Sequence, residues 1–392
     1  MPHGFLRDRV TWLGYAMLGG FAYLQASPGL IVPHLRDELH LSYSAGGLHI
    51  AAFAAGSVIA GLTAGPLERR WGRRALFWLS AAGMATATIG LTLGRNETET
   101  VGAMLAMGWT GAMLAITIQA TLADRHGEGR AIALSEANVA ASIAYVVLIG
   151  CLSLAAATDS GWRVALLGVL AIPPVAWWLT RREPIEAPPR LPLVADGYGG
   201  LPAAFWVAAA MMFCTTAVEW CITSWGASFV QDAAGVSADT AVGIMIGYFG
   251  GFLVGRVAGS VLARRVAAPR LLAGALAISA AGFALLWPAT GPGLALAGLA
   301  VIGVGLGNLF PIGLALTVGL APEHAQLASA RAITVVAGAV LLAPLTVGAL
   351  ADATSLTAAL AVVPAGLALA AVGLVAVSRE QRATIAAAAL DG

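Results

Sequence analysis

The chain is 392 residues long, 59% hydrophobic and only 10% charged, with a mean hydropathy of +0.84 and a formal net charge of +1. Soluble domains are about 45–50% apolar and about 25% charged, so charges this sparse cannot cover a water-facing surface; a soluble domain, a disordered chain and a disulfide-stapled secreted module are all excluded. The near-neutral balance points to no nucleic acid and no acidic partner, and the sequence reads as an integral membrane protein.

Met1 to Val10 is short and polar and runs into a full-length apolar stretch without a cleavable signal peptide. Breaks in the apolar runs then predict twelve spans, at 11–33, 45–65, 75–94, 101–123, 131–156, 164–180, 203–229, 240–263, 271–288, 294–320, 331–351 and 357–378. Each approaches the ~20 residues a helix needs to cross the hydrocarbon core, and the ten-residue alternation of barrel strands is missing. The sixth span is short and carries Pro173-Pro174. Aromatic residues at span ends, such as Trp162, Trp177 and Trp178, read as interfacial anchors.

Every one of the 21 basic residues is arginine, which is read as codon usage in a GC-rich bacterial genome. With the N-terminus in the cytoplasm, the inner segments hold 17 arginines and the outer loops three (Arg36, Arg95 and Arg163). That asymmetry sets the expected topology: both termini inside, in a bacterial inner membrane. Residues 181–202, with Pro184, Pro188, Pro189 and Pro192, form a polar linker between two sets of six spans. The expected domains are 1–180 and 203–380, joined by that linker and followed by a tail at 381–392. An offset of 194 residues places Gly61 on Gly255, Gly65 on Gly259, Arg70 on Arg264 and Gln25 on Glu219. The chain therefore reads as an all-α membrane protein, twelve helices arranged as two pseudo-symmetric six-helix bundles.

Between spans two and three the chain reads Gly65-Pro66-Leu67-Glu68-Arg69-Arg70-Trp71-Gly72-Arg73-Arg74. Gly65 permits close helix approach, Gly72 a tight turn, and the arginines can grip acidic groups and helix C-termini. This loop resembles the signature Gly-x-Leu-Ala-Asp-Arg-x-Gly-Arg-Arg of the major facilitator superfamily, in the loop where that family places it. The resemblance implies a secondary transporter working by alternating access, with this loop as a cytoplasmic latch. One position departs from the signature: Arg69 stands where the family has Asp, and the nearest acid is Glu68. Glycines at 243, 247, 251, 255 and 259 form a stripe along span eight that reads as a packing seam.

Ionisable groups at the centre of a span cost about 2.5–3.5 kcal/mol on insertion scales, which makes each a functional candidate. Glu219 lies deep in span seven, Glu136 near the start of span five, within reach of Arg130 or Arg73, and Arg256 in the inner half of span eight. Glu219 is the expected proton-coupling carboxylate, since an acid in a chamber opening alternately to two sides can load and release a proton; Glu136 and Arg256 complete the candidate set. The resemblance places spans one, four, seven and ten around the solute, and they carry Tyr23, Gln25, Trp109, Gln119, Trp220, Trp225 and Asn308. Amide and aromatic groups of this kind suit a hydroxylated or amphipathic organic solute. Glu219-Trp220, Ser224-Trp225 and Gly255-Arg256 look like the fucose-permease-like sugar symporters.

The expected activity is proton-coupled uptake of a small organic solute, with sodium as the other candidate ion, a drug/proton antiporter as the alternative, and a channel or membrane-embedded enzyme further off. Without lysine there is no Walker-type loop, no metal-ligand spacing occurs, and no cofactor is expected. The chain is expected to act as a monomer among membrane lipids. The six histidines, including His34, His40, His126 and His324, are expected mostly in solvated loops, and Cys151, Cys214 and Cys221 as small core residues.

Overall fold

The computed structural model describes residues 6–183, 185, 200–263 and 265–388. Arg190, Arg264, Pro184, Pro188, Pro189 and Pro192 lie outside the described residues, as do the side chains of the 381–392 tail. Among the described residues twelve long helices follow one another: α1 (Arg9–Leu39), α2 (Tyr43–Trp71), α3 (Arg73–Leu93), α4 (Glu97–His126), α5 (Arg130–Ala157), α6 (Trp162–Thr180), α7 (Ala203–Ala234), α8 (Ala238–Leu262), α9 (Ala268–Leu286), α10 (Pro292–Gly319), α11 (Ala325–Ala353) and α12 (Leu356–Glu380). Among the described residues, the eleven from α2 to α12 are long and apolar enough to cross a membrane on composition alone. The 31 residues of α1 are long enough, but Tyr15, Tyr23, Gln25 and Ser27 lower its hydropathy.

Side-chain caps fix where several helices begin, because the first turn leaves backbone N–H groups without partners. Asp8 accepts from the Thr11 amide, Ser42 from Ala45, Asn96 from Glu99 and Ser355 from Ala358. The turn from α2 into α3 is made by Gly72 at φ +79°, a left-handed conformation that a side chain would strain.

The helices fall into two compact units. The first holds α1–α6 together with Ala238–Gly243 of α8; the second holds α7, the rest of α8 and α9–α12. Within the first unit α2 packs on α4, α3 on α4 and α1 on α5; within the second α8 packs on α10, α9 on α10 and α7 on α11. The internal plan is thus the same twice.

Glycines show how closely it repeats. A Cβ added at Gly56 would stand 2.2 Å from the Leu105 carbonyl oxygen, and one at Gly108 would stand 2.0 Å from that of Phe53. In the second unit, Gly251 would meet the Ala300 oxygen at 2.2 Å and Gly303 the Tyr248 oxygen at 2.3 Å. All four residues of the first contact map onto the second at a separation of 195 residues. The offset of 194 read from the sequence is therefore one residue short here: Gly61 has nothing within 4 Å, whereas Gly255 lies against the Val304 carbonyl. Gly65 is likewise no close-approach position, since its only neighbour is the Arg69 side chain at 3.6 Å. The span-eight stripe does form a seam, in which Gly247, Gly251, Gly255 and Gly259 pack against Leu296, Ala300, Val304 and Asn308 of α10.

Among the described residues four helices are interrupted. A short 3-10 turn at Val169–Ala171 divides α6, just before Pro173-Pro174; α8 steps at Met245; α10 breaks at Gly307-Asn308; and α12 turns at Leu360-Ala361. Proline accounts for the first break, because it carries no N–H to continue the helical ladder.

Candidate functional site

In the second unit, Glu219 sits partly buried midway along α7. One turn on, Thr223 shares a hydrogen bond with the Tyr248 hydroxyl of α8 at 2.9 Å, and the same hydroxyl donates to the Glu219 carbonyl at 3.4 Å. Tyr248, Phe252 and Arg256 are spaced by four, so they share one face of α8. The Arg256 guanidinium lies 4.6 Å from the centre of the Phe252 ring, a cation–π contact. Asn308, at the break in α10, donates its amide to the Gly255 carbonyl next to Arg256. One acid, one arginine, a phenol and a helix break are thus gathered from three helices of a single unit. Such groups can hold a proton and hydrogen-bond a polar solute.

Two other candidates of this unit part company. Trp220 is partly buried beside Glu219. Trp225 is fully buried, with its indole donating to the Pro344 carbonyl of α11 at 3.1 Å, so it presents no surface to a solute and ties α7 to α11 instead.

In the first unit three of the four predicted polar residues are bonded to neighbouring helices. Tyr23, 5% exposed, donates to the Ala165 carbonyl at 2.7 Å. Gln25 accepts from the Tyr145 hydroxyl at 3.1 Å, and the Trp109 indole donates to Thr63 at 3.1 Å. Gln119 is exposed. These four are not gathered into one cluster by the hydrogen bonds they make.

Glu136 corrects an expectation. Its partner is neither Arg130 nor Arg73 but Arg7, which grips both carboxylate oxygens at 2.8 and 2.5 Å, while Tyr15 donates to it at 2.9 Å. Beside this pair Asp8 accepts from the Thr11 amide and hydroxyl and from Arg125. Burial alone pushes the Asp8 carboxyl up, but these hydrogen bonds and the Arg125 charge outweigh it and hold the group below its ordinary value.

The loop after α2 keeps one arginine for structure. Arg73 is buried, donating to Glu68 at 3.0 Å and to Asp124, near the end of α4, at 2.6 Å. Glu68 thus supplies a carboxylate although Arg69 occupies the signature's acidic position. Arg69 and Arg70 are exposed, and Arg74 donates to the Arg181 carbonyl. Asp124 was not singled out in the sequence; only its position at the end of a span beside a basic loop marks it.

Several residues expected at the surface are inside. His49 in α2 is fully buried, bonded to the Ala45 carbonyl and to Thr100, both at 2.7 Å. His34 belongs to α1 and stacks on Trp162, and His126 bonds Thr11. Trp162, expected as an interfacial anchor, is 5% exposed and donates to Glu38 at 2.9 Å. Trp177 and Trp178 remain exposed. Of the cysteines only Cys221 is fully buried; Cys151 and Cys214 are partly so.

A twice-repeated six-helix plan with an acid and an arginine inside the membrane defines an integral membrane carrier. The family model of the Major Facilitator Superfamily matches residues 11–326, and the chain belongs to that superfamily. Solved structures share the fold: a bacterial homologue of the human lysosomal transporter Spinster, inward-facing and unoccupied, has 13% identity, covers 96% of this chain and 98% of its own, and gives a TM-score of 0.74. The nucleoside transporter NupG has 11% identity over 95% of this chain and 99% of its own, with a TM-score of 0.75. A D-xylose-proton symporter has 17% identity over 94% of this chain and 96% of its own, also with a TM-score of 0.75. At such identities the likeness is one of fold. No curated protein matches the chain.

Proposed function

We propose that the chain is a proton-coupled secondary transporter of a small hydroxylated organic solute, with Glu219 as the coupling carboxylate. The observation that carries this reading is the Glu219 cluster of the second unit, where Thr223 and the Tyr248 hydroxyl bond to each other and the hydroxyl to the Glu219 carbonyl, with Arg256 two turns along the same face of α8. A charge in mid-span is retained against a cost of about 2.5–3.5 kcal/mol, and proton transfer gives a reason for it. In this reading Trp220, Asn308 and the phenol of Tyr248 meet the solute, the Arg73–Glu68–Asp124 group latches the loop after α2, and both termini lie in the cytoplasm of a bacterial cell. The D-xylose-proton symporter and the nucleoside transporter, each named for a hydroxylated solute, support the solute class.

The test is uptake into proteoliposomes. Pentoses, hexoses and nucleosides are offered with an inward proton gradient, an inward sodium gradient or neither. Saturable uptake driven by the proton gradient is expected, with Glu219→Gln losing gradient-driven accumulation and keeping solute exchange. Proton-driven accumulation by Glu219→Gln at the native rate would remove the assignment, and dependence on sodium alone would replace the ion.

A further inference from the structure

Different helices hold α8 along its length. Up to Gly243 it belongs to the first unit: Ala238, Ala241 and Val242 are buried, and a Cβ at Gly243 would stand 3.6 Å from the Ser153 hydroxyl of α5. From Met245 on it belongs to the second: a Cβ at Gly226 of α7 would stand 2.9 Å from the Met245 sulfur, and the seam on α10 begins at Gly247. The step in the helix falls at Met245, where the packing partners change. No proline lies in α8 to cause it.

One charged contact ties the segment before the step to α1. The His34 side chain, only 12% exposed, has Nε2 3.6 Å from a carboxylate oxygen of Asp239, in the first turn of α8. At that length the contact is no hydrogen bond. It holds as an ion pair, which needs the imidazole to carry its proton. Histidine gains and loses that charge near neutral pH.

Among the described residues, the other charged groups near His34 come from two helices. Asp37 and Glu38 follow it by three and four positions on α1. Glu38 is gripped by Arg163 of α6 at 2.6 Å and accepts from the Trp162 indole, and the Trp162 ring stacks on His34 with 6.5 Å between centroids. These groups all sit within the first unit whether or not α8 stays docked. Asp239 is the acid whose contact with His34 depends on the docking.

We propose that His34 and Asp239 form a pH-sensitive clasp: in acid the pair keeps Ala238–Gly243 docked on α1 and α5, and loss of the His34 proton lets the segment leave and follow the rest of α8 by turning at Met245. Neither a solute nor a proton gradient is required to observe it. Ala241→Cys, in the full chain without its three native cysteines, reacts with a water-soluble maleimide only when the segment leaves. Dividing its rate by that of Arg95→Cys, at an exposed position, removes the titration of the thiol itself. Between about pH 5.5 and about pH 8 the ratio should rise about threefold, within what a partly exposed ion pair supplies. Raised salt should increase it at the acid end only. His34→Gln and Asp239→Asn should each give a flat profile at the value native protein reaches at the alkaline end. Asp239 is 54% exposed, so its variant keeps the test available should His34→Gln fail to fold. Ala332→Cys, in the buried core of the second unit, should show no rise. A flat native profile, a native-like rise in either folded variant, or an equal rise at Ala332→Cys would overturn the proposal.

Discussion

Asp8 and Glu136 stand side by side at the end of the first unit that carries the N-terminus, and their environments set different expectations. Asp8 caps α1, a contact worth about 1 kcal/mol to helix stability, so Asp8→Ala should lower the melting temperature in detergent. Because the folded carboxyl is held below its ordinary value, its contribution is complete above the unfolded value of about 4 and is lost as pH falls through the lower, folded value. Melting followed from pH 7 down to pH 3 should show native protein losing stability at the acid end, and Asp8→Asn losing less of it. Glu136 is bound by Arg7 and Tyr15 at a partly exposed site. Glu136→Gln should therefore leave proton-driven uptake near the native rate, the opposite of Glu219→Gln; an equal loss in both would place Glu136 in the coupling path. None of these partners was visible in the sequence, since Arg7 and Glu136 are 129 positions apart.

At the scale of the element, the two glycine contacts make a sharp comparison. A methyl group at Gly108 or Gly303 would meet a carbonyl oxygen at 2.0 or 2.3 Å, so the helices would have to part. Gly303→Ala should cost roughly 1–3 kcal/mol as an overpacked core position. Gly61→Ala, with open space around it, should be neutral or slightly stabilising, by up to about 1 kcal/mol from helix propensity. Thermal melting of the two variants checks this; equal losses would restore the 194-residue register. Arg73 belongs to the same scale, since it joins the α2–α3 loop to α4. Arg73→Ala leaves Glu68 and Asp124 without their shared cation and should destabilise by about 3 kcal/mol. Arg69→Ala, at an exposed position, should change melting little. The sequence showed the glycine stripe and the basic loop clearly, because both are periodic or local. It did not show which glycines touch backbone, because that depends on the partner helix.

For the whole molecule, the predicted spans were legible because lipid imposes one rule on all of them: a backbone in hydrocarbon must satisfy its own hydrogen bonds over about 20 apolar residues. The arginine asymmetry belongs to this scale as well. Single cysteines introduced at Arg95 and Arg379 in a background lacking the three native cysteines should be labelled from opposite sides of the membrane, with Arg379 on the cytoplasmic side. Labelling of both from one side would refute the inside-terminus topology. The duplication, too, could be read, though one residue out of register.

Composition and span length were enough to determine a many-helix membrane protein, because each is a sum over many residues against a uniform solvent, while the superfamily was legible only as a resemblance of the Gly65–Arg74 loop. Tertiary structure alone decided that Arg7 holds Glu136, that Tyr248 stands over α7 beside Glu219, and that Trp225 is core. Those outcomes depend on single contacts between helices far apart in the chain, and hydropathy carries no information about which side chain a neighbouring helix will present.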